Sequence, residues 1–242
     1  MIWISANRFG FELLQEAKKI CKIDAIITLK SNSKTKMYDA IEAKQWHATG
    51  IPVYEVDNIN EEIDVIKHIK TDIMIVAGWR QIISKDILDE YKIVAFHPTL
   101  LPFGRGPAPI INTILSRLET SGVTMFYMDE GVDSGDIIGQ QQFVVGKDDY
   151  AIDVYNNVII TGCLLVKKYL KRVEERTSPR RKQRQAHHFS APTSNQIFIN
   201  DDIETMYSKI RAFSYPYDGA YFKKGNLKLI IDTAKLETED GR

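Results

Sequence analysis

Asp72-Ile-Met-Ile-Val-Ala-Gly78 is the stretch on which the reading of the fold turns. Between Asp72 and Gly78 every residue is apolar. A half-exposed strand alternates apolar and polar residues, whereas an unbroken apolar run closed by glycine suits a strand buried on both faces. Tyr91–Phe96 reads as the next strand, and Ile82–Glu90 between them as a short helix. The same alternation extends upstream. Met1–Ser5, Ile23–Leu29 and Ile51–Val56 are β-like. Phe9–Ile20 carries Phe11, Leu13, Leu14, Ala17 and Ile20 at helical spacing, and Asn60–Ile69 carries Ile63, Ile66 and Ile69 on one helical face. Strands alternating with helices predict an α/β protein with a mostly parallel central sheet.

Downstream the pattern changes. His97–Pro109 is dense in proline and glycine and predicts an ordered loop. Ala108–Leu118 reads as a helix, Gly122–Met128 and Gly139–Val145 as strands, and Tyr150–Arg176 as a long amphipathic helix. Lys167–His188 then holds nine Lys/Arg against two Glu, and Thr177-Ser-Pro179 marks a helix stop. These features divide the chain into an α/β domain at 1–176, a linker at 177–200 and a small C-terminal module at 201–242. The module reads as a helix at Asp202–Ala212 and a hairpin, Ala220–Phe222 with Leu227–Thr233, around Gly225–Asn226. It has too little mass for its own core and is expected to dock on the main domain or a second subunit.

The 242 residues hold 32 Lys+Arg against 32 Asp+Glu, a formal net charge of zero. General nucleic-acid binding rests on excess cationic charge, so neutrality argues against it. A hydrophobic fraction of 44% argues against disorder. No apolar stretch approaches the ~20 residues of a membrane span. The opening Met-Ile-Trp-Ile-Ser does not read as a signal peptide. Cys21 and Cys163 are too few for a disulfide framework and lack metal-ligand spacing. The expectation is a cytoplasmic globular protein with no resident metal.

Few residues carry a chemical signal. The adjacent His187 and His188 read as an exposed linker pair, His68 as solvated on a charged helix, and His47 as part of a loop-like region. His97 stands apart. It ends an apolar strand, at the edge where open α/β sheets bind ligands. Pro98 then forces the chain out of the ladder. Asp133 lies in Asp129-Glu-Gly-Val-Asp-Ser-Gly-Asp136, where four carboxylates fall within eight residues. From residue physics alone this segment reads first as a solvated turn, for which Asp and Gly are the usual residues.

His97-Pro-Thr-Leu-Leu-Pro-Phe-Gly-Arg-Gly106 resembles the His-Pro-Ser-Leu-Leu-Pro-x-x-Arg-Gly motif of formyltransferases that use 10-formyltetrahydrofolate. Gly122-Val-Thr-Met-Phe-Tyr-Met-Asp-Glu-Gly-Val-Asp-Ser-Gly-Asp-Ile-Ile138 is similar to their second motif, a strand leading to an Asp-x-Gly loop. Arg211-Ala-Phe-Ser-Tyr-Pro-Tyr-Asp-Gly-Ala-Tyr221 is similar to the segment that opens the second domain in methionyl-tRNA and sugar formyltransferases. The resemblance implies a Rossmann-like formyltransferase fold, reduced folate in the crevice and an amine as acceptor. His97 would handle the amine proton and Asp133 would orient and stabilise the ring. The folate site would map onto Trp79, Arg80 and Gln81 and onto Asp129, Glu130, Gly131 and Val132; Trp79 reads equally as an aromatic plug. The family places Asn two residues before the His, where it holds the formyl oxygen; this chain has Ala95.

The acceptor follows from the same resemblance. After Tyr221 the sequence shows one hairpin and no tRNA-gripping domain, so the expected acceptor is a dTDP- or UDP-linked 4-amino-deoxy sugar for surface polysaccharide or glycan biosynthesis. Its nucleotide is expected near the first strand–helix turn, at Ser5, Asn7, Arg8 and Phe9, with Arg105 added from the first motif. Arg8 is placed there for the fit of guanidinium to phosphate; it reads equally as a solvated charge. A homodimer and no nucleic-acid partner are expected. The alternatives are a methionyl-tRNA acceptor, water as acceptor, or a non-catalytic binder of folate or nucleotide sugar, the last suggested by Ala95.

Overall fold

A computed structural model describes residues 1–237. The last five residues of the expected C-terminal module, 238–242, lie outside the described residues. A seven-stranded sheet forms the centre, in the order β3 (Val53–Val56), β2 (Ala25–Leu29), β1 (Ile2–Ile4), β4 (Ile73–Val76), β5 (Lys92–His97), β6 (Thr120–Tyr127), β7 (Ile137–Val144). The first five strands run parallel. β6 and β7 add antiparallel to one edge.

The apolar run 72–78 becomes β4, paired on both sides and buried throughout, as its unbroken pattern requires. Neighbouring residues in each strand feed opposite layers. Trp3, Ile75 and Val94 join one core with Leu13 and Leu14 of α1 (Arg8–Ala17) and Val158, Leu165 and Val166 of α6 (Ala151–Glu174). Ile2, Ile4, Met74 and Ile93 join the other, with Ile66 and Ile87. The chain builds β1, β2 and β3 to one side, then returns to lay β4 and β5 on the other. The carboxyl ends of β1 and β4 are therefore the switch point, where such sheets open a binding crevice.

Three local expectations change. Asn60–Ile69 is not one helix: α3 (Ile59–Glu62) passes into a 3₁₀ turn at Ile63–Ile66. Ile63-Asp-Val-Ile66 has three β-branched residues in four, which weakens an α-helix that packing does not hold. The helix expected from Ile82 begins later, as α4 (Lys85–Glu90). Asn60 claims the backbone ahead of it, donating to the Ile82 carbonyl at 2.8 Å and accepting from Ser84 N–H at 2.8 Å. Trp46 and His47 are not in a loop; they end a short helix, α2 (Ala43–His47), that buries Trp46 completely.

α5 (Pro109–Leu115) follows the proline-rich loop, and α7 (Ile203–Phe213) packs against α5 and α6. β8 (Ala220–Lys224) and β9 (Leu227–Ile231) form the hairpin. The segment expected to be a linker is not a free tether. Arg181 exchanges both backbone hydrogen bonds with Ile137, and His187 and Phe189 pair with the proline-rich loop. Its cations meet acid nearby: Arg180 and Lys182 lie 3.9 and 3.1 Å from Asp136.

Candidate active site

A crevice of about 730 Å³ opens over the carboxyl ends of β1, β4 and β5. α1 starts beside it because the side chain of Asn7 accepts the Gly10 N–H at 3.0 Å, an N-cap worth ~1 kcal/mol. Asn7 and Phe9 line the crevice. At the end of β4 the chain turns through Gly78 into Trp79, Arg80 and Gln81, which also line it. β5 ends in Ala95, Phe96 and His97 along the floor.

His97 is buried, with a crevice-lining edge. Its Nε2 lies 2.8 Å from the Gly104 carbonyl. Its Nδ1 lies 3.5 Å from Asp133 Oδ2, and that oxygen accepts the Gly106 N–H at 2.9 Å. The ring is thus held between a carbonyl and a carboxylate. With Nε2–H donating to Gly104, Nδ1 is the nitrogen left for proton exchange; once Nδ1 is also protonated, each N–H has an acceptor. Gly104 and Gly106 have φ of +74° and +99°, which side-chain-bearing residues rarely adopt. This backbone lets one short loop offer a carbonyl to the histidine and an N–H to the aspartate. Asp133 itself sits at φ +50°, a conformation that costs ~1–2 kcal/mol in a non-glycine residue and needs support from its surroundings.

The loop 97–106 rests on buried polar groups. Thr124 Oγ1 donates to the Thr99 carbonyl at 2.6 Å and accepts the Leu101 N–H at 3.0 Å. Gln140 Nε2 donates to the Leu101 carbonyl at 2.7 Å.

One crevice wall is apolar: Val76, Trp79, Ile83, Phe126 and Met128. Asp129, Glu130, Gly131 and Val132 line the crevice on the run from Met128 to Asp133, and Glu130 is tied to Lys85. Phe9, Tyr155 and Tyr217, which belong to the core layer on the other face of the sheet, line the crevice too, as does Tyr38. Tyr38 and Tyr217 meet edge-to-face, with centroids 5.3 Å apart. The Arg80 guanidinium lies 4.9 Å from the Tyr38 centroid and Lys36 Nζ 4.5 Å. A hydrogen bond to Asp218 holds the Lys36 ammonium above its ordinary pKa. Burial, with the Asp39 carboxylate second, pushes the Tyr155 and Tyr217 hydroxyls well above the usual phenol range, so both stay neutral.

Three expected acceptor residues are placed elsewhere. Ser5 is wholly buried below the turn and does not line the crevice. Arg8 lies off the crevice lining, with its guanidinium 5.9 Å from the Tyr155 centroid. Arg105 is turned from the crevice because Nε and Nη2 both donate to Gln183 Oε1, at 3.1 and 2.7 Å. Gln81 lines the crevice, but its amide donates to the Asp57 carbonyl and Thr35 Oγ1 and accepts the Ile59 N–H, so it is spent on structure. Sequence reading missed Tyr38, Tyr217 and Gln183. Tyr217 stood inside the third motif; Tyr38 and Gln183 lie in stretches with no periodic signal. His187 is placed with its ring stacked on Phe103 at 4.4 Å.

The formyl transferase family model matches residues 22–165. The chain belongs to the formyl transferase family. It is 33% identical over 170 residues to the methionyl-tRNA formyltransferase of Wolbachia pipientis from Culex pipiens, covering 69% of this chain and 56% of that one. With the methionyl-tRNA formyltransferase of Orientia tsutsugamushi it shares 30% over 98% of this chain and 80% of that one. The chain thus spans less than two thirds of the first of these relatives. Its fold is that of a 4-N formyltransferase from Francisella tularensis, TM-score 0.78, 20% identical, with 98% of each chain covered. It also matches an N-formyltransferase from Helicobacter canadensis, solved with folinic acid and dTDP-3-aminofucose. That match has a TM-score of 0.75 at 22% identity, covering 95% of this chain and 85% of that one. Within the family motif the position two before the histidine is Ala95, whose methyl offers no hydrogen bond.

Proposed function

We propose that this family member moves the formyl group of 10-formyltetrahydrofolate to the amino group of a nucleotide-linked amino-deoxy sugar. The observation that carries this reading is the His97–Asp133 pair on the floor of a crevice with one apolar and one aromatic, cation-edged wall. The apolar wall suits a flat heteroaromatic ring, so Trp79, Ile83, Phe126 and Met128 would hold the pterin beside the backbone of 129–132. 10-Formyltetrahydrofolate would supply a formyl group already activated on nitrogen. His97 Nδ1 takes the proton that the attacking amine gives up as its nitrogen bonds to the formyl carbon. Gly104 and Asp133 stabilise the resulting imidazolium. The same proton passes to the leaving nitrogen as the old C–N bond breaks, so the ring ends as it began. Proton handling of this kind is worth ~10²–10⁴-fold.

Support for a sugar nucleotide comes from the opposite wall. Tyr38 and Tyr217 offer faces for a base, and Arg80, which lines the crevice, offers a guanidinium for a diphosphate. The basic segment after α6 is engaged with the Asp136 loop, which leaves less of it for RNA. The finer reading is a dTDP- or UDP-linked 4-amino sugar destined for surface polysaccharide or glycan, processed in the cytoplasm by a homodimer. The second reading, methionyl-tRNA as acceptor, draws on the curated relatives of 30–33% identity.

The test is incubation with 10-formyltetrahydrofolate and, separately, a panel of amino-sugar nucleotides and methionyl-tRNA, followed by mass spectrometry. One formyl group should appear on a sugar nucleotide, and His97→Asn and Asp133→Asn should each lower the rate by ~10² or more while leaving the fold intact. Formylation of the tRNA alone overturns the sugar reading; full turnover by His97→Asn overturns the mechanism.

A further inference from the structure

We infer that Gln183, in the segment after α6, is a positioning residue that sets His97 and Asp133 in register; its kinetic consequence rests on the formyl-transfer reading above. Two separate loops build the pair. One carries Gly104 and Gly106 after β5, and the other carries Asp133 after β6. A single amide joins them. Gln183 Nε2 donates to the Asp133 carbonyl at 3.0 Å and to the Gly135 carbonyl at 2.8 Å. Its Oε1 accepts Nε and Nη2 of Arg105, the residue between the two glycines. An amide has two N–H donors and two acceptor lone pairs, and here all four are used.

The backbone on either side fixes where that amide sits. Arg181 N–H and C=O pair with Ile137 at 2.9 Å each. The Arg105 N–H donates to the His187 carbonyl at 3.0 Å, and the Phe189 N–H donates to the Arg105 carbonyl at 2.8 Å. The Phe189 ring closes over Gly104, where a Cβ would meet it at 2.7 Å. Arg181 also holds Gln140, whose amide supports the Leu101 carbonyl. Neither Gln183 nor Arg105 lines the crevice, so any effect on chemistry passes through the loops they tie. The strained φ of Asp133 is the conformation that such a tie sustains. Glutamate at 183 would keep the Arg105 contact and lose both donors to the Asp133 loop. Leucine would keep the volume and lose everything polar.

The test uses the full chain with isotope-labelled histidine, reading the His97 ring signals by NMR after assigning them through their loss in His97→Asn. Gln183→Leu and Gln183→Glu should both move the His97 signals toward their positions in Asp133→Asn, with His47 and His68 unmoved. Gln183→Leu combined with Asp133→Asn should superpose on Asp133→Asn alone. A folded Gln183 variant with wild-type His97 signals overturns the inference. So does a double variant displaced from Asp133→Asn as far as Gln183→Leu is from wild type. If Gln183→Leu fails to fold, Gln183→Glu, which keeps its hold on Arg105, decides between the two outcomes. With the acceptor found in the mass-spectrometric screen, kcat should fall by up to ~10²-fold at unchanged KM for 10-formyltetrahydrofolate, the scale of a small misplacement of reacting groups. A raised KM at unchanged kcat overturns the inference. The NMR reading needs no acceptor, so a chain that formylates nothing fails the functional proposal while this one is judged on its own.

Discussion

Ala95 puts a methyl group on the crevice floor two residues before His97, where the family motif supplies an amide. Removing one preorganised donor to a developing oxyanion typically lowers rate by ~10²–10³. Ala95→Asn is therefore expected to raise kcat by about 10²-fold, measured with the acceptor from the screen at saturation; an unchanged kcat would mean another group already serves that oxygen. His97 was marked in the sequence by its place at a strand end, whereas Asp133, in the loop between β6 and β7, stood out only through the motif it shares with the family. Arg105 shows the limit of that legibility. Its motif is visible, but which way a guanidinium turns depends on a glutamine 78 positions later, and no local pattern records that pairing. Cys21 is buried and Cys163 partly buried; burial pushes both thiols up to about 11, so neither is a ready nucleophile at neutral pH.

At the scale of elements, the β-strands were the most readable parts, because β4 and the middle of β5 are buried on both faces and so read as apolar runs, with the polar residues of β5, Lys92 and His97, at its two ends. Short helices were the least readable. α2 is five residues long, too short for a period to show, and it is held by the complete burial of Trp46 rather than by propensity. α1 is placed by a close approach instead. A Cβ on Gly10 would lie 1.9 Å from Ser5 Oγ and 2.2 Å from the Ala77 carbonyl. The backbone oxygen cannot swing aside, so α1 would have to lift from the ends of β1 and β4. Gly10→Ala is expected to destabilise by ~1–3 kcal/mol, a fall in Tm of about 2–4 °C per kcal/mol in a thermal melt. An unchanged Tm would show that α1 seats by another route.

For the whole molecule, zero net charge conceals a local match: Arg180 and Lys182, after α6, both lie against Asp136 in the acidic turn that follows β6, so charges distant in the sequence meet in space. The C-terminal hairpin is less complete. Ala220, Phe222 and Ile231 begin one face against the core, and the same face runs out through Leu229 and Leu227, which are 66% and 77% exposed. A second copy burying that continuation would give the homodimer. Light scattering after size-exclusion chromatography is expected to give twice the chain mass for the wild type and the single mass for Leu229→Glu, with little change in Tm. A wild type that elutes as a monomer at micromolar concentration removes the hairpin as a dimer surface.

The segment between α6 and α7 also bears on how such proteins can be recombined. The match to the formyl transferase domain ends at residue 165, before the glutamine that joins the two loops carrying Gly104 and Asp133. A crossover placed at that boundary would import a histidine and an aspartate from one parent and their common brace from the other. Viable chimaeras should therefore have breakpoints beyond Phe189, and the unit to be exchanged is longer than the matched domain.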